Sequence, residues 1–355
     1  MKIAIILGTR PEIIKLSPVI RECLERKLDF FILHTNQHYS PNMDQDFFSE
    51  LSLPQPKYNL GIKESLHGQM TGKMLIGIEP ILISEKPDWV FVQGDTNTVL
   101  AGALAASKLG IKVAHIEAGL RSYDRSMPEE INRILTDHVS EALFCPTFTQ
   151  SSILQGEGIT KGKIFISGNT IVDAALQNLA LATRSPLATK YKGQAYMLLT
   201  LHRPSNVDDK SALVSLMAKL EDLSLEFSLP IYFPVHPRTE AKLKEFNIIL
   251  DPKIIIKMPP ANYLEMLILE QNAKLILTDS GGVQEEACIL KIPCVTIRDN
   301  TERPETLEVG GGMLYEGIPN LIKSAKKMIE QPRTWGNPFG DGSASTQIIN
   351  KILGN

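Results

Sequence analysis

Short apolar runs rich in β-branched residues alternate along the chain with longer stretches in which apolar positions recur at helical spacing. The short runs predict buried strands, and the longer stretches predict helices that cover them. This alternation favours an α/β protein with parallel sheets and helices on both faces. Six strands are predicted in each half of the chain, at residues 2–7, 30–35, 89–93, 112–116, 142–145, 163–167, 196–201, 231–235, 254–257, 274–278, 293–297 and 313–315.

The two halves share this rhythm without any fixed-period repeat, as expected of two Rossmann-like domains. A length of 355 residues also exceeds what a single layered core usually reaches. We expect an N-terminal domain at residues 1–170 and a C-terminal domain at residues 171–339. A final helix, at about residues 340–355, is expected to cross back onto the first domain. An inter-domain cleft is expected to hold the ligand.

Charge and cysteine content narrow the possible partners. With 37 Lys plus Arg against 40 Asp plus Glu, the net charge of -3 argues against nucleic acid and against an anionic membrane surface. The apolar run at the N-terminus is too short for a signal peptide, so a cytoplasmic location is expected. The four cysteines are scattered and no histidine stands at ligand spacing, so buried thiols are expected rather than disulfides or a metal site.

In the first half, charged residues follow the predicted strands. Arg10 lies in a Gly-Thr-Arg-Pro-Glu turn where backbone amides converge, although an ordinary helix start explains that turn equally well. Asp95 and Glu117 come after two successive strands, so two carboxylates are expected at one edge of the sheet. Asp95 alone fits a helix cap, whereas Glu117 does not. A third acid, Glu129, begins a helix after Pro128, where helix-dipole pairing is the simpler explanation.

In the second half of the chain, histidine and arginine residues follow the predicted strands, as acids do in the first half. His202-Arg203 and His236 follow successive strands, which favours recognition of an anion. The turn Ser280-Gly281-Gly282 opens a helix, and its small residues would let a diphosphate approach the exposed amides. Glu285 or Glu286, one turn further on, would accept hydrogen bonds from ribose hydroxyls. A nucleoside diphosphate therefore fits this segment better than free phosphate.

Seven motifs, in their order and spacing, make the chain resemble the non-hydrolysing UDP-N-acetylglucosamine 2-epimerases over nearly its full length. They read Gly8-Thr-Arg-Pro-Glu-Ile-Ile-Lys15, Gln93-Gly-Asp-Thr96, His115-Ile-Glu-Ala-Gly-Leu-Arg121, Pro128-Glu-Glu-Ile-Asn-Arg133, Thr200-Leu-His-Arg203, Asp279-Ser-Gly-Gly-Val-Gln-Glu-Glu286 and Thr301-Glu-Arg-Pro-Glu305. The resemblance implies two Rossmann-like domains in the glycosyltransferase-B (GT-B) arrangement. It places uridine diphosphate (UDP) mainly on the C-terminal domain.

The resemblance also implies interconversion of UDP-N-acetylglucosamine (UDP-GlcNAc) and UDP-N-acetylmannosamine (UDP-ManNAc) without a cofactor. By position, the catalytic group would be Asp95, Glu117, Glu129 and His202. The UDP-sugar would be contacted by Arg10, Lys15, Arg203, His236, Ser280, Gly281, Gly282, Glu286 and Arg303. A homodimer is implied, and so is a second substrate molecule acting as an effector, for which the candidates are Gln45, His67 and Gln69.

The chemistry explains why such groups are needed. Carbon 2 of the sugar has no neighbouring carbonyl, so a base cannot form an enolate there. Loss of UDP from carbon 1 together with the carbon 2 proton would give 2-acetamidoglucal, and re-addition with protonation on the opposite face would complete the inversion. This route needs an anion clamp for UDP and acids from separate loops. Which acid serves as the base stays open, because acids that share a site titrate together.

Four alternatives remain at this point. A GT-B glycosyltransferase would use the same diphosphate site, but it would need only one base. An epimerase of the same family would act on a related UDP-2-acetamido sugar. A UDP-sugar-binding regulator would bind without turnover, and a hydrolysing relative would release free N-acetylmannosamine.

Overall fold

Two parallel sheets organise the chain. The computed structural model describes residues 1–37, 47–184 and 186–354. These residues form unit 1, which comprises Met1–Ala174 and Phe339–Asn355, and unit 2, which comprises Ala175–Pro338. Every strand pair within both sheets is parallel, as the alternation of strands and helices predicts.

Unit 1 has a seven-stranded sheet in the order β3-β2-β1-β4-β5-β6-β7. Its strands are β1 Lys2–Leu7, β2 Asp29–His34, β3 Tyr58–Asn59, β4 Trp89–Gln93, β5 Lys112–Ile116, β6 Ala142–Cys145 and β7 Ile164–Ile166. Its helices are α1 Arg10–Glu25, α2 His67–Glu85, α3 Asn97–Lys108, α4 Pro128–Val139, α5 Phe148–Gly156, a 3-10 turn at Lys161–Lys163, and the first part of α6 Thr170–Ala182. Because β1, β4 and β5 are neighbours, the loops that follow them gather at one edge.

The chain returns to unit 1 at its end, where helix α15 (Ala344–Leu353) packs against α1. The buried carboxylate of Asp173 caps this helix by accepting the amides of Ala344 and Ser345 at 3.2 and 2.8 Å. Arg26 donates to Asn350 at 2.7 Å. These contacts fix the last helix as part of the unit 1 core.

Unit 2 has a six-stranded sheet in the order β10-β9-β8-β11-β12-β13. The strands are β8 Met197–Thr200, β9 Ile231–Pro234, β10 Ile255–Met258, β11 Leu275–Thr278, β12 Cys294–Thr296 and β13 Gly312–Leu314. The helices are α7 Leu187–Lys190, α8 Pro204–Val207, α9 Lys210–Phe227, α10 Pro237–Glu245, α11 Tyr263–Asn272, α12 Gly281–Ile289, α13 Pro304–Glu308, a 3-10 turn at Ile318–Asn320, and α14 Leu321–Glu330. The central neighbours β8 and β11 are in register from Met197 to Thr200, so the residues that follow them meet.

Four of the predicted strands coincide with observed ones, and the other eight differ from them by one residue at one or both ends. The short edge strand β3 was not predicted, because its two partly exposed residues lack an apolar run. The four cysteines are free and buried, as expected, and burial raises the pKa of the Cys23 thiol to about 12. In the part of the chain that the structure describes, none of the helices combines the length and apolar character needed to cross a membrane.

Candidate functional site

Glu117 stands at the carboxyl edge of the unit 1 sheet, directly after β5. The Nζ of Lys15, on α1, lies 2.8 and 2.7 Å from its two carboxylate oxygens, and Gln93 donates to one of them. The backbone φ of Glu117 is +69°, a left-handed conformation that costs a non-glycine residue about 1 kcal/mol or more. Such strain is typical of functional residues. Glu117 is therefore a buried carboxylate held in one orientation by a cation.

Asp95 follows the neighbouring strand β4 and is held by a different cation. Its Oδ2 accepts hydrogen bonds from Arg133 Nε at 2.9 Å and Nη2 at 2.5 Å. Asn132 donates to the backbone carbonyl of Asp95 at 2.9 Å. Both partners lie on α4, so this helix fixes the loop after β4. The structure brings Asp95 and Glu117 to adjacent strand ends.

The adjacent acids at the start of α4 have different surroundings. Glu130 is buried and accepts the amides of Ser122 and Tyr123 at 2.9 and 3.0 Å. Burial tends to raise the pKa of Glu130, but these hydrogen bonds and Arg133 outweigh it and lower the pKa. Glu129 is half-buried, and its side chain has no hydrogen bond or ion pair among the described residues. Glu130 thus orders the loop, and Glu129 is the one available to a ligand.

The turn after β1 is organised by Glu12, which the motifs did not single out as functional. Glu12 is buried and accepts the amides of Gly8 and Thr9 at 2.6 and 2.8 Å and the hydroxyl of Thr96 at 2.5 Å. Burial raises its pKa to about 7 despite these hydrogen bonds. The spacing Thr9-x-x-Glu12 is a capping-box signal. Glu12 therefore ties the turn of exposed Arg10 to the Asp95 loop.

A second buried network supports the same edge. His115, on β5, lies 2.6 Å from Asp137 through Nδ1 and 2.8 Å from the carbonyl of Gly94 through Nε2. Burial opposes the charged imidazolium, but Asp137 outweighs it and raises the pKa of His115. Arg121 Nη1 lies 2.7 Å from Asp137. The network therefore holds the Gly94 turn that presents Asp95. Of its side chains, those of His115 and Arg121 belong to a sequence motif, whereas that of Asp137 does not.

In unit 2, the buried carboxylate of Asp279 organises the corresponding edge. It follows β11 and accepts the amides of His202 and Arg203 at 3.0 and 2.9 Å and the side chain of Asn206 at 3.1 Å. Burial tends to raise the pKa of Asp279, but the hydrogen bonds from His202 and Arg203 outweigh it and lower the pKa. Asp279 thus fixes the loop after β8 against the end of β11.

Asp279 also orients the imidazole of His202. The Nδ1 of His202 lies 2.9 Å from Asp279 Oδ1, and the side chain is 41% exposed. The ring of His236 lies 5.6 Å away, and burial together with the charge of His202 lowers the pKa of His236. The side chain of Arg203 remains 37% exposed beside them. This edge therefore presents an oriented imidazole and a guanidinium to solvent.

The start of α12 leaves its backbone amides accessible. Ser280 caps the helix by accepting the amide of Val283. A Cβ built at Gly281 would meet nothing within 4 Å, and one at Gly282 would meet only the cap. Free amides at a helix N-terminus attract anions.

The two acids of α12 have separate partners. Glu285 pairs with Arg303, whose Nε lies 2.6 Å from Oε1. Glu286 is 6% exposed and lies beside Tyr263 and Glu270. Of the two acids considered for the ribose hydroxyls, Glu285 is therefore committed to Arg303.

The candidate effector residues fall in two segments of the chain. His67 begins α2 and its Nδ1 is 3.2 Å from Asn97 Nδ2, whereas Gln69 is exposed. Gln45 lies outside the described residues. No group of three or more potential metal ligands occurs within residues 1–37, 47–184 and 186–354.

Comparison with known proteins is consistent with these arrangements. The family model described as UDP-N-acetylglucosamine 2-epimerase matches residues 21–353. A UDP-N-acetylglucosamine 2-epimerase of Methanococcus maripaludis is 56% identical over 99% of this chain and 98% of the relative. The chain belongs to the UDP-N-acetylglucosamine 2-epimerase family.

Solved structures confirm the resemblance and the fold class. The UDP-GlcNAc 2-epimerase of Methanocaldococcus jannaschii, solved in complex with UDP-GlcNAc and UDP, is 56% identical, with a TM-score of 0.87 over all of both chains. By sequence, a further relative, the UDP-2,3-diacetamido-2,3-dideoxy-D-glucuronate 2-epimerase of Pseudomonas aeruginosa, is 44% identical over 98% of each chain. A galactosyltransferase only 16% identical shares the GT-B fold, with a TM-score of 0.55 over 100% of this chain and 99% of that one.

Proposed function

We propose that this protein interconverts UDP-GlcNAc and UDP-ManNAc. One observation carries the proposal: carboxylates at two adjacent strand ends, Asp95 and Glu117, are each held by a cation. A transferase or a binding regulator has no need of two such acids. The 56% identity to the Methanococcus maripaludis enzyme supports the same activity.

We assign the nucleotide to unit 2. The open amides of Gly281 and Gly282 receive phosphate oxygens, and the helix dipole of α12 favours their charge. His202, oriented by Asp279, donates from Nε2 when protonated, and Arg203 adds a fixed positive charge. These groups stabilise UDP as it leaves, when its charge is greatest.

We assign proton transfer to the acids of unit 1. In the forward step, one carboxylate removes the proton from carbon 2 while the bond from carbon 1 to the UDP oxygen breaks. The C–H electron pair forms the carbon 1 to carbon 2 double bond, and the C–O pair leaves with UDP. In the return step, carbon 2 is protonated on its opposite face while the UDP oxygen attacks carbon 1. Asp95, Glu117 and Glu129 supply the proton-transfer groups, and Lys15 and Arg10 supply nearby positive charge.

Incubation with UDP-GlcNAc alone in heavy water, followed by proton NMR, tests the activity. We expect deuterium at carbon 2 and accumulation of UDP-ManNAc with the nucleotide intact. A transferase would leave carbon 2 undeuterated, a regulator would give no turnover, and a hydrolase would release free sugar. Any of these three results would overturn the proposal.

A second candidate substrate is favoured by the Pseudomonas aeruginosa relative named for a 2,3-diacetamido glucuronate. In this case the same elimination would act on a UDP-sugar bearing a second acetamido group and a carboxylate. Competition between the two UDP-sugars in the heavy-water assay separates these candidates. The preferred substrate is the one with the larger kcat/KM.

We also propose a cytoplasmic homodimer, consistent with a row of exposed apolar side chains on α2 and α4. Ile76 and Ile83 are 75% and 55% exposed, and Ile131 and Leu135 are 42% and 47% exposed. Both helices pack against α3, so their outer faces belong to one side of unit 1. Sedimentation of the wild-type protein and of an Ile76→Glu variant tests the dimer, and cell fractionation tests the location.

The proposed effector role of His67 and Gln69 has a separate kinetic test. If a second UDP-GlcNAc molecule activates the enzyme, conversion of UDP-ManNAc should begin only when some UDP-GlcNAc is added. Replacement of Gln69 by alanine should raise the UDP-GlcNAc concentration required. A hyperbolic rate curve with UDP-ManNAc alone would exclude activation.

A further inference from the structure

Helix α11 of unit 2 carries a carboxyl group that the proposed function does not use. Glu270 is 0% exposed. Neither of its carboxyl oxygens receives a hydrogen bond from an N–H or O–H group of the described residues. An ionised carboxylate in such surroundings is strongly disfavoured, so the group retains its proton.

The group in contact with Glu270 is a second acid. Helices α11 and α12 pack together, and the carboxyl group of Glu270 lies within hydrogen-bonding reach of that of Glu286. Two adjacent buried carboxyl groups cannot both ionise without large repulsion. Burial and the neighbouring Glu286 therefore hold the pKa of Glu270 well above its usual range.

A second polar side chain of α11 lies near Glu286. Burial and the neighbouring Glu286 hold the pKa of the Tyr263 phenol well above its usual value. Glu286 is 6% exposed whereas Glu270 is 0% exposed, so the proton resides on Glu270 and Glu286 is the ionised member of the pair. The carboxylate of Glu286 is thus flanked by a phenol and by a carboxylic acid.

The other titratable groups that face Glu270 are neutral at physiological pH. Burial raises the pKa of Cys294, on β12, to about 12. Burial likewise raises the pKa of Tyr196, which donates to the carbonyl of Leu269 at 2.7 Å. Burial also raises the pKa of Tyr263 well above its usual value. Among the described residues that face Glu270, Glu286 is therefore the one that carries a negative charge.

The position of Glu286 links the cluster to the nucleotide. Gly282 and Glu286 are four residues apart on α12, so they lie on the same face of the helix, one turn apart. An acid one turn beyond the amides that hold a diphosphate is suitably placed for the ribose next to that diphosphate.

We propose that Glu270 is a positioning residue that stays protonated and donates a hydrogen bond to Glu286, thereby fixing the carboxylate that accepts the ribose hydroxyls of UDP. This inference rests on the proposed function, because it assumes that unit 2 binds UDP. It makes Glu270 part of nucleotide recognition although its side chain is completely buried.

Three variants and a direct spectroscopic readout test the inference. Glu270→Gln keeps a neutral donor of the same shape, Glu270→Leu removes the donor, and Ile268→Val changes another buried residue of α11 as a control. Thermal melting first establishes that each variant is folded. We expect Glu270→Leu to bind UDP about tenfold more weakly by calorimetry, and Glu270→Gln and Ile268→Val to remain within about twofold of wild type.

The kinetic pattern separates positioning from general damage. Glu270→Leu should raise the KM for UDP-GlcNAc about tenfold and change kcat less than twofold. Infrared difference spectra at pH 8.5 should show a protonated carboxyl group in the wild type that is missing in Glu270→Gln.

Two results would overturn the inference: equal UDP affinity for Glu270→Gln and Glu270→Leu, or absence of the protonated carboxyl band. If the wild type itself did not bind UDP, the proposed function would fail, whereas the infrared band would still report on the acid pair.

Discussion

The carboxyl edges of the two sheets carry their charges in opposite ways. In unit 1, the acids Asp95 and Glu117 stand beyond the strands and each is held by a cation. In unit 2, the acid Asp279 is buried beneath the loops, and the donors that it orients, among them His202, face outward. The same succession of strand, loop and helix therefore presents negative groups at the carboxyl edge of the unit 1 sheet and positive or N–H groups at that of the unit 2 sheet.

This difference teaches how one type of fold supports two tasks. A group that moves protons must keep its orientation while its charge changes, and a paired cation provides that restraint. A group that binds a diphosphate must instead leave its donors free, so the stabilising acid is placed behind them. Substitutions in each unit test this contrast.

The largest effect is expected for Glu117→Gln in unit 1. The amide preserves shape but cannot take up the carbon 2 proton, so kcat should fall about 10³-fold. UDP affinity should stay within about twofold, because the nucleotide is assigned to unit 2. Deuterium incorporation and UDP calorimetry measure the two quantities. Glu141→Gln, in an exposed ion pair of the same unit, is the matched control. If Glu117→Gln retained more than about a tenth of the wild-type kcat, Glu117 would not be a proton-transfer group.

Glu12→Gln should change how stability depends on pH. The pKa of Glu12 is about 7 in the folded protein against an ordinary value of 4.5, because burial favours the neutral form. The native state therefore holds the proton more tightly, and the free energy of unfolding falls as pH rises from 4.5 to about 7. The fall reaches about 3 kcal/mol and then levels off. Urea unfolding at pH 5 and pH 8 should show a smaller difference in the variant, and identical differences would contradict this account.

Asp279→Asn should weaken UDP binding by about 30- to 100-fold, since charge-assisted hydrogen bonds to the His202 and Arg203 amides are lost. Calorimetry with UDP measures the effect, and Asp208→Asn, in an exposed pair with Arg238, is the control. Because the pKa of Asp279 is lowered, its contribution to stability exists above the ordinary aspartate value and is lost as pH falls through the folded pKa. Unchanged UDP affinity would remove Asp279 from the nucleotide site.

The smallest effects compare two arginine-aspartate pairs. Arg133 is 15% exposed in its pair with Asp95, whereas Arg238 is 44% exposed in its pair with Asp208. Arg133→Gln leaves the buried Glu130 and the partly buried Asp95 without their cation and should cost about 2 kcal/mol in unfolding free energy. Arg238→Gln should leave the unfolding free energy nearly unchanged, because its pair is exposed to solvent. Equal costs in urea unfolding would show that the Asp95 pair is no more than a surface contact.

Local signals in the sequence were sufficient for the strand ends, and with them for the placement of Asp95, Glu117 and His202. Apolar runs mark buried strands, and parallel pairing brings their ends together. The partners of these residues could not be predicted, since Lys15 and Glu117 are 102 positions apart and Arg133 and Asp95 are 38 apart. Such pairs depend on how helices pack onto the sheet, which no local pattern encodes.

The surroundings of the buried acids Glu12, Glu270 and Glu286 could not be predicted from the sequence for a related reason. Helical spacing places Gly282 and Glu286 on the same face of α12, but it does not show whether that face is buried. Nor does it show that Glu270 lies next to Glu286 on the neighbouring helix. Glu12 had a capping signal, but its raised pKa follows from its burial, and the hydroxyl of Thr96 that donates to it comes from a distant part of the chain. Tertiary packing, rather than residue type, decides the charge of such groups.

The return of the chain to unit 1 has a consequence for synthesis. Helix α15 buries Ile348, Ile349 and Ile352, yet it leaves the ribosome after the whole of unit 2. Until α15 has been synthesised, the apolar surface of α1 against which it packs stays uncovered. Unit 1 therefore begins to be translated first but can finish folding only last. We therefore expect unit 2 to reach its native state first on the ribosome, against the order of translation.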